Sequence, residues 1–97
     1  MRLYPDEAAA LRFALQDICG SIYLFGSRTN NEQKGGDIDI LIYNDDEMRS
    51  NLDLSLAVSA RFASQCDTAI DVIVVRKNAL TREEAVFIAT LNVELFN

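Results

Sequence analysis

Apolar and polar positions alternate along the chain at spacings that predict seven elements. The first is a helix that begins after Pro5 and Asp6, with Asp6 as its cap. Leu11, Leu15 and Ile18 fall at i, i+4 and i+7 on one face, and Ala8, Ala9 and Ala10 are strong helix formers. Gly20 suits the stop. Residues 21–25 are short and rich in strand formers, which predicts a strand. Residues 26–36 turn polar and predict a loop with room for one helical turn. Residues 37–43 then put Asp37 and Asp39 on one face of a strand and Ile38, Ile40 and Ile42 on the other.

Asp45 and Asp46 favour a second helix start. Met48, Leu52, Leu56, Ser59 and Phe62 continue at helical spacing to about residue 64. Leu54 and Val58 fall off that stripe, where interior packing competes with a partner surface. Residues 69–75 read as a strand whose single charge is Asp71. Thr81 and Glu84 form a capping box, which predicts a helix to about Leu91. Residues 93–96 suit a last short strand. The order α-β-β-α-β-α-β predicts an α+β fold: a small mixed sheet with helices against one face.

Length and charge narrow the classes of function. The 97 residues fit one domain, 1–97, with a thin stability margin that hints at association, a homo-oligomer included. Nearly half of the chain is apolar and a quarter is charged, a globular composition. A net charge of −6 argues against unaided binding to nucleic acid. The absence of histidine removes His-based zinc sites and His-dependent triads. The N-terminal residues lack the apolar stretch of a signal peptide, and no apolar run has membrane-spanning length. The expectation is a cytoplasmic chain, with Cys19 and Cys66 as free thiols that are buried as small apolar residues.

Three features carry chemistry together. Gly26 and Ser27 close the first strand, Asp37 and Asp39 open the second after nine intervening residues, and Asp71 sits in the third. Carboxylates two apart on a strand point the same way, and without a cation they repel each other. A hard cation such as Mg²⁺ resolves the conflict and leaves coordination positions for phosphates. Asp71 completes a three-carboxylate set if its strand lies beside the second, and such a set suits two metal ions. Gly26 lets the backbone approach a phosphate, and Ser27 adds a hydroxyl donor. Arg28 or Lys34 is a candidate for the positive charge. A salt bridge competes for Arg28, and a solvated loop position competes for Lys34. Asp45, Asp46 and Glu47 suit a helix N-terminus. Asp53 and Asp67 suit the surface.

The stretch from Leu24-Phe25-Gly26-Ser27-Arg28 to Gly36-Asp37-Ile38-Asp39-Ile40-Leu41-Ile42, with Asp71 downstream, resembles the core motif of the DNA polymerase β superfamily of nucleotidyltransferases. Within it the chain most resembles the minimal nucleotidyltransferases, over nearly its whole length. The resemblance implies one nucleotidyltransferase domain with a polymerase β-like core. Gly26 and Ser27 would contact the β- and γ-phosphates of ATP or another nucleoside triphosphate. Asp37 and Asp39 would bind two Mg²⁺ ions, Mn²⁺ being the alternative, and Asp71 would bind the catalytic metal and help deprotonate an acceptor hydroxyl. Minimal members commonly pair with a small helical HEPN-type protein as its antitoxin, and can adenylylate a tyrosine of that partner. Neutralisation by binding alone, and transfer to a small molecule or an RNA end, are the competing readings. Larger members carry a second domain that binds acceptor or base, and these 97 residues offer nothing for one, so the expectation is that a partner subunit supplies that role.

Overall fold

A computed structural model describes residues 2–29 and 36–96, so Lys34 lies outside the described residues. Helix α1 spans Pro5–Leu15, strand β1 Ile22–Phe25, β2 Ile38–Tyr43, α2 Asn51–Ala63, β3 Ile70–Val75, α3 Arg82–Ala89 and β4 Val93–Leu95. Short 3-10 turns at Gly26–Thr29 and Lys77–Ala79 lie between them. The order matches the predicted one.

The strands form one mixed sheet in the order β3-β2-β1-β4. β1 runs antiparallel to β2 and to β4, whereas β2 and β3 are parallel. A parallel pair needs a crossover, and α2 supplies it. Residue alternation then divides the sheet. Ile22, Leu24, Ile38, Ile40 and Ile42 face α1 and α2, where they meet Leu11, Leu15, Leu54, Val58 and Phe62 in the main core. Phe25, Leu41 and Val75 face the other way, with Tyr23, Tyr43, Ile73, Leu80, Ile88 and Leu91 against them.

The third helix departs from the expected one-sided cover. α1 and α2 share one face, but Ile88 of α3 packs on the opposite face. No residue of α3 is buried, so that second layer is thin. The sheet therefore has a sealed side and a half-open side.

Two further expectations change. Asp45 and Asp46 do not start α2. They lie in a turn organised by buried Asn44, whose Oδ1 accepts from the Asp46 N–H at 2.9 Å and whose Nδ2 donates to Arg49 O and Asn51 Oδ1. The cap is Ser50, whose hydroxyl accepts from Asp53 N–H at 3.0 Å. The buried stripe of α2 is Leu54, Val58 and Phe62, while Met48, Leu52 and Leu56 are exposed. Alternate apolar residues from 52 to 58 offer two stripes at i, i+4. The one that ends on Phe62 without a polar member buries more apolar area.

α1 also starts differently. Tyr4 is its cap residue, and Asp6 lies in the first turn. The Glu7 carboxylate accepts from the Tyr4 N–H at 3.0 Å. Thr81 and Glu84 form the predicted capping box of α3, which ends at Ala89, short of Leu91. Both cysteines are free thiols, but neither is buried as expected: Cys19 is exposed and Cys66 half-buried. Among the described residues no helix is long and apolar enough to cross a membrane.

Candidate active site

Strand pairing builds the site one row at a time. Phe25 of β1 pairs with Asp39 of β2, and Asp39 pairs with Asp71 of β3. Paired residues on neighbouring strands share a face, and neighbouring strands lie about 4.8 Å apart. Asp39 and Asp71 thus stand side by side on the half-open face. Asp37 lies one residue before β2, close enough for its charge to act on Asp39.

The electrostatics follow from this crowding. Asp39 is half-buried, and its carboxyl is pushed above the ordinary carboxylate value. Burial is the largest cause, followed by the charge of Asp71 and then that of Asp37. All three disfavour the ionised form. A cation at this place would reverse the balance, since the donors are hard carboxylate oxygens.

The turn after β1 is set directly against this acid. Gly26 has φ +74°, and a Cβ built there would run into the Asp39 carboxylate. Only glycine combines that left-handed backbone with that close approach. The Thr29 hydroxyl donates to Gly26 O at 2.7 Å and closes the 3-10 turn. Gly36, at φ +89°, stands against the other side of the turn: a Cβ there would lie 2.7 Å from Ser27 Oγ. The fold therefore gathers Gly26, Ser27, Asp37, Asp39 and Asp71 at one end of the half-open face. Phe25 and Phe87 border this end with rings edge to face at 6.1 Å.

Arg28 does not join the group. It is 2% exposed, and its guanidinium forks onto Glu7 with Nη1–Oε1 at 2.5 Å and Nη2–Oε2 at 2.9 Å. Other guanidinium N–H groups donate to Gly36 O and Arg2 O. The expected phosphate contact through Arg28 is thus replaced by an inward ion pair. Glu7 was not singled out from the sequence, where it reads as an ordinary acid in a helix's first turn. Arg28 holds its carboxyl down, to about 2, with help from the Tyr4 N–H and the Thr68 hydroxyl and against the cost of burial.

The three aspartates do not form a ready-made cage. Among the described residues no group of three carboxylate or thiol side chains is arranged to hold a metal ion. Mg²⁺ takes one or two protein carboxylates and completes its shell with phosphate oxygens and water, so the donor set fits a metal that arrives with a nucleotide.

Comparison with known families gives one result at the level of the domain. Residues 13–91 match the family described as Polymerase beta, Nucleotidyltransferase. No curated protein matches the chain. Nucleotidyltransferase domains transfer a nucleoside monophosphate from a nucleoside triphosphate and generally use divalent metal ions. The matched residues include β1, the glycine turn, β2, α2, β3 and α3, most of the chain, and the chain belongs to this polymerase β nucleotidyltransferase family.

Proposed function

We propose that this nucleotidyltransferase moves AMP from ATP to a hydroxyl on a small helical protein partner of the HEPN type, in an antitoxin role. The observation that carries the catalytic part is the alignment of Asp39 with Asp71 directly against the Gly26 turn. Gly26 N–H and the Ser27 hydroxyl donate to the β- and γ-phosphates. Asp37 and Asp39 would hold two Mg²⁺ ions, with Asp71 also on the catalytic one and Mn²⁺ as an alternative. When bound, these ions neutralise the triphosphate and acidify the acceptor hydroxyl. Asp71 takes the proton of that hydroxyl as its oxygen attacks the α-phosphorus and pyrophosphate leaves. Arg28 contributes from behind the turn, without touching phosphate.

ATP labelled at the α-phosphate tests the proposal. Purified protein and Mg²⁺ are added to a lysate of the source cells, beside the Asp37→Asn/Asp39→Asn variant. The expected result is one labelled protein band, lost by on the order of a thousandfold in the variant. A band of equal strength from the variant would overturn the role of the acids. A labelled RNA would move the acceptor to an RNA end.

One observation favours a second reading, neutralisation by contact. Leu52 and Leu56 are 66% and 60% exposed one helical turn apart on α2, with Met48 nearby in sequence at 92%. Apolar side chains grouped on a surface suit a protein partner. On this reading Leu52→Asp/Leu56→Asp abolishes the complex with the helical partner, and the double-Asn variant keeps both the complex and the protection. Loss of protection in the double-Asn variant with the complex intact would return the role to catalysis.

A further inference from the structure

The buried Glu7–Arg28 pair touches every segment that carries a candidate site residue. Arg28 directly follows Ser27 in the turn after β1. Its Nη2 and Nε donate to Gly36 O at 2.9 and 3.2 Å, and Gly36 directly precedes Asp37. Glu7 Oε2 also accepts from the Thr68 hydroxyl at 2.7 Å, three residues before Asp71. Ile38 N–H donates to Ala69 O at 3.0 Å and closes the gap between those two approaches. We infer that Arg28 and Glu7 are positioning residues: one ion pair fixes the phosphate turn relative to the two strands that present the aspartates. This rests on the nucleotidyl-transfer reading of the site.

The chemistry of the pair suits positioning better than plain stabilisation. A guanidinium is planar and rigid, with five donors whose directions are fixed. Here those donors reach three targets, Glu7, Gly36 O and Arg2 O. An ammonium keeps the charge and the bond to Glu7, but it cannot hold Glu7 and span to Gly36 O in the same plane. Both side chains of the pair are 3% exposed, so water offers little substitute for a lost bond. A shift of the Gly36 carbonyl is passed directly to Asp37, and a small misplacement of a site group has a large effect on rate.

Arg28→Lys separates the two roles. The probe is inorganic tripolyphosphate with Mg²⁺, which tests the phosphate and metal groups without a base. Thermal melting of the variant should fall only modestly, because the charge stays paired with Glu7 while the bonds to Gly36 O and Arg2 O are lost. Amide hydrogen exchange should quicken at 26–29 and 36–39 and stay unchanged in α2. Tripolyphosphate affinity should fall about tenfold, as for other groups that orient metal ligands. Unchanged exchange in both segments together with unchanged affinity would overturn the inference and leave a merely structural pair. Should Arg28→Lys fail to fold, Thr68→Val decides. It removes one donor to Glu7 at nearly constant volume, and faster exchange at 69–71 with weaker binding is expected. No change in either would overturn the inference. A wild type that binds no tripolyphosphate would sink the nucleotide reading, while the exchange measurement still tells whether the pair holds the turns.

Discussion

Glu7 and Asp39 are both carboxylates out of full contact with water, and the fold treats them in opposite ways. Glu7 sits at the start of α1 among an arginine, a backbone N–H and a threonine hydroxyl, and its carboxyl is drawn down to about 2. Asp39 sits on the half-open side of the sheet, where burial and two other aspartates push its carboxyl up. The first charge is compensated by the chain itself. Among the described residues nothing compensates the second, and it stands where the backbone of the glycine turn comes closest. A fold keeps an uncompensated charge at a net cost, and such places are where function concentrates.

The comparison breaks most visibly if Glu7 is truncated. Glu7→Ala strands the Arg28 cation in a site 2% exposed. Removing one partner of a buried pair costs about 3–5 kcal/mol. For a small domain with a thin margin that is most of its stability. Urea unfolding should show the midpoint collapse. A loss below about 1 kcal/mol would mean that water reaches Arg28 and that the pair behaves as a surface bridge.

Acid sharpens the same contrast. The Glu7 carboxyl is lowered from 4.5 to about 2 in the fold. Its contribution is therefore fully present above about pH 4.5 and disappears as pH falls toward 2. The whole step is worth about 3 kcal/mol at 1.36 kcal/mol per pH unit. Asp39 has the opposite sign. A carboxyl raised above 3.8 favours the folded state when protonated, so its contribution is lost as pH rises past its ordinary value. Stability measured from pH 2 to 6 should climb with pH in the wild type. The climb should flatten in Thr68→Val, which weakens the hold on Glu7. An equal slope in both would assign the acid transition to other carboxylates.

These opposite fates were unevenly legible in the sequence. The order of elements and the capping box at Thr81 follow from local pattern, because propensity and capping act over a few residues. The pairing of Asp39 with Asp71 was conditional on β3 lying beside β2, and the parallel register meets that condition. The face of α2 is ambiguous in the sequence, since apolar residues at every second position from 52 to 58 offer two stripes, and packing in the main core against α1 and the sheet selects Leu54, Val58 and Phe62. The role of Glu7 was invisible because its partner is 21 residues away and local rules cannot see that pairing. For Arg28 the sequence leaves a phosphate contact and a salt bridge open. The side chain turns inward to Glu7, so the ion pair holds, buried rather than on the surface.

The smallest expected effect is also the most discriminating. Asp39→Asn keeps the size of the side chain and removes the charge that burial, Asp71 and Asp37 all oppose. In metal-free buffer at neutral pH the variant should be more stable than the wild type by about 0.5–1 kcal/mol, the trade expected where a site holds charge for function. Divalent cation should then reverse the order. A ligand that binds only the folded state adds stability in proportion to the logarithm of its occupancy. Mg²⁺ with tripolyphosphate should raise the melting temperature of the wild type and leave Asp39→Asn almost unmoved. A variant less stable than the wild type in chelator would show that Asp39 is compensated after all, by a hydrogen bond or cation near it. The contrast with Glu7 would then fall, and the acids would lose their strongest physical mark as a site waiting for a metal.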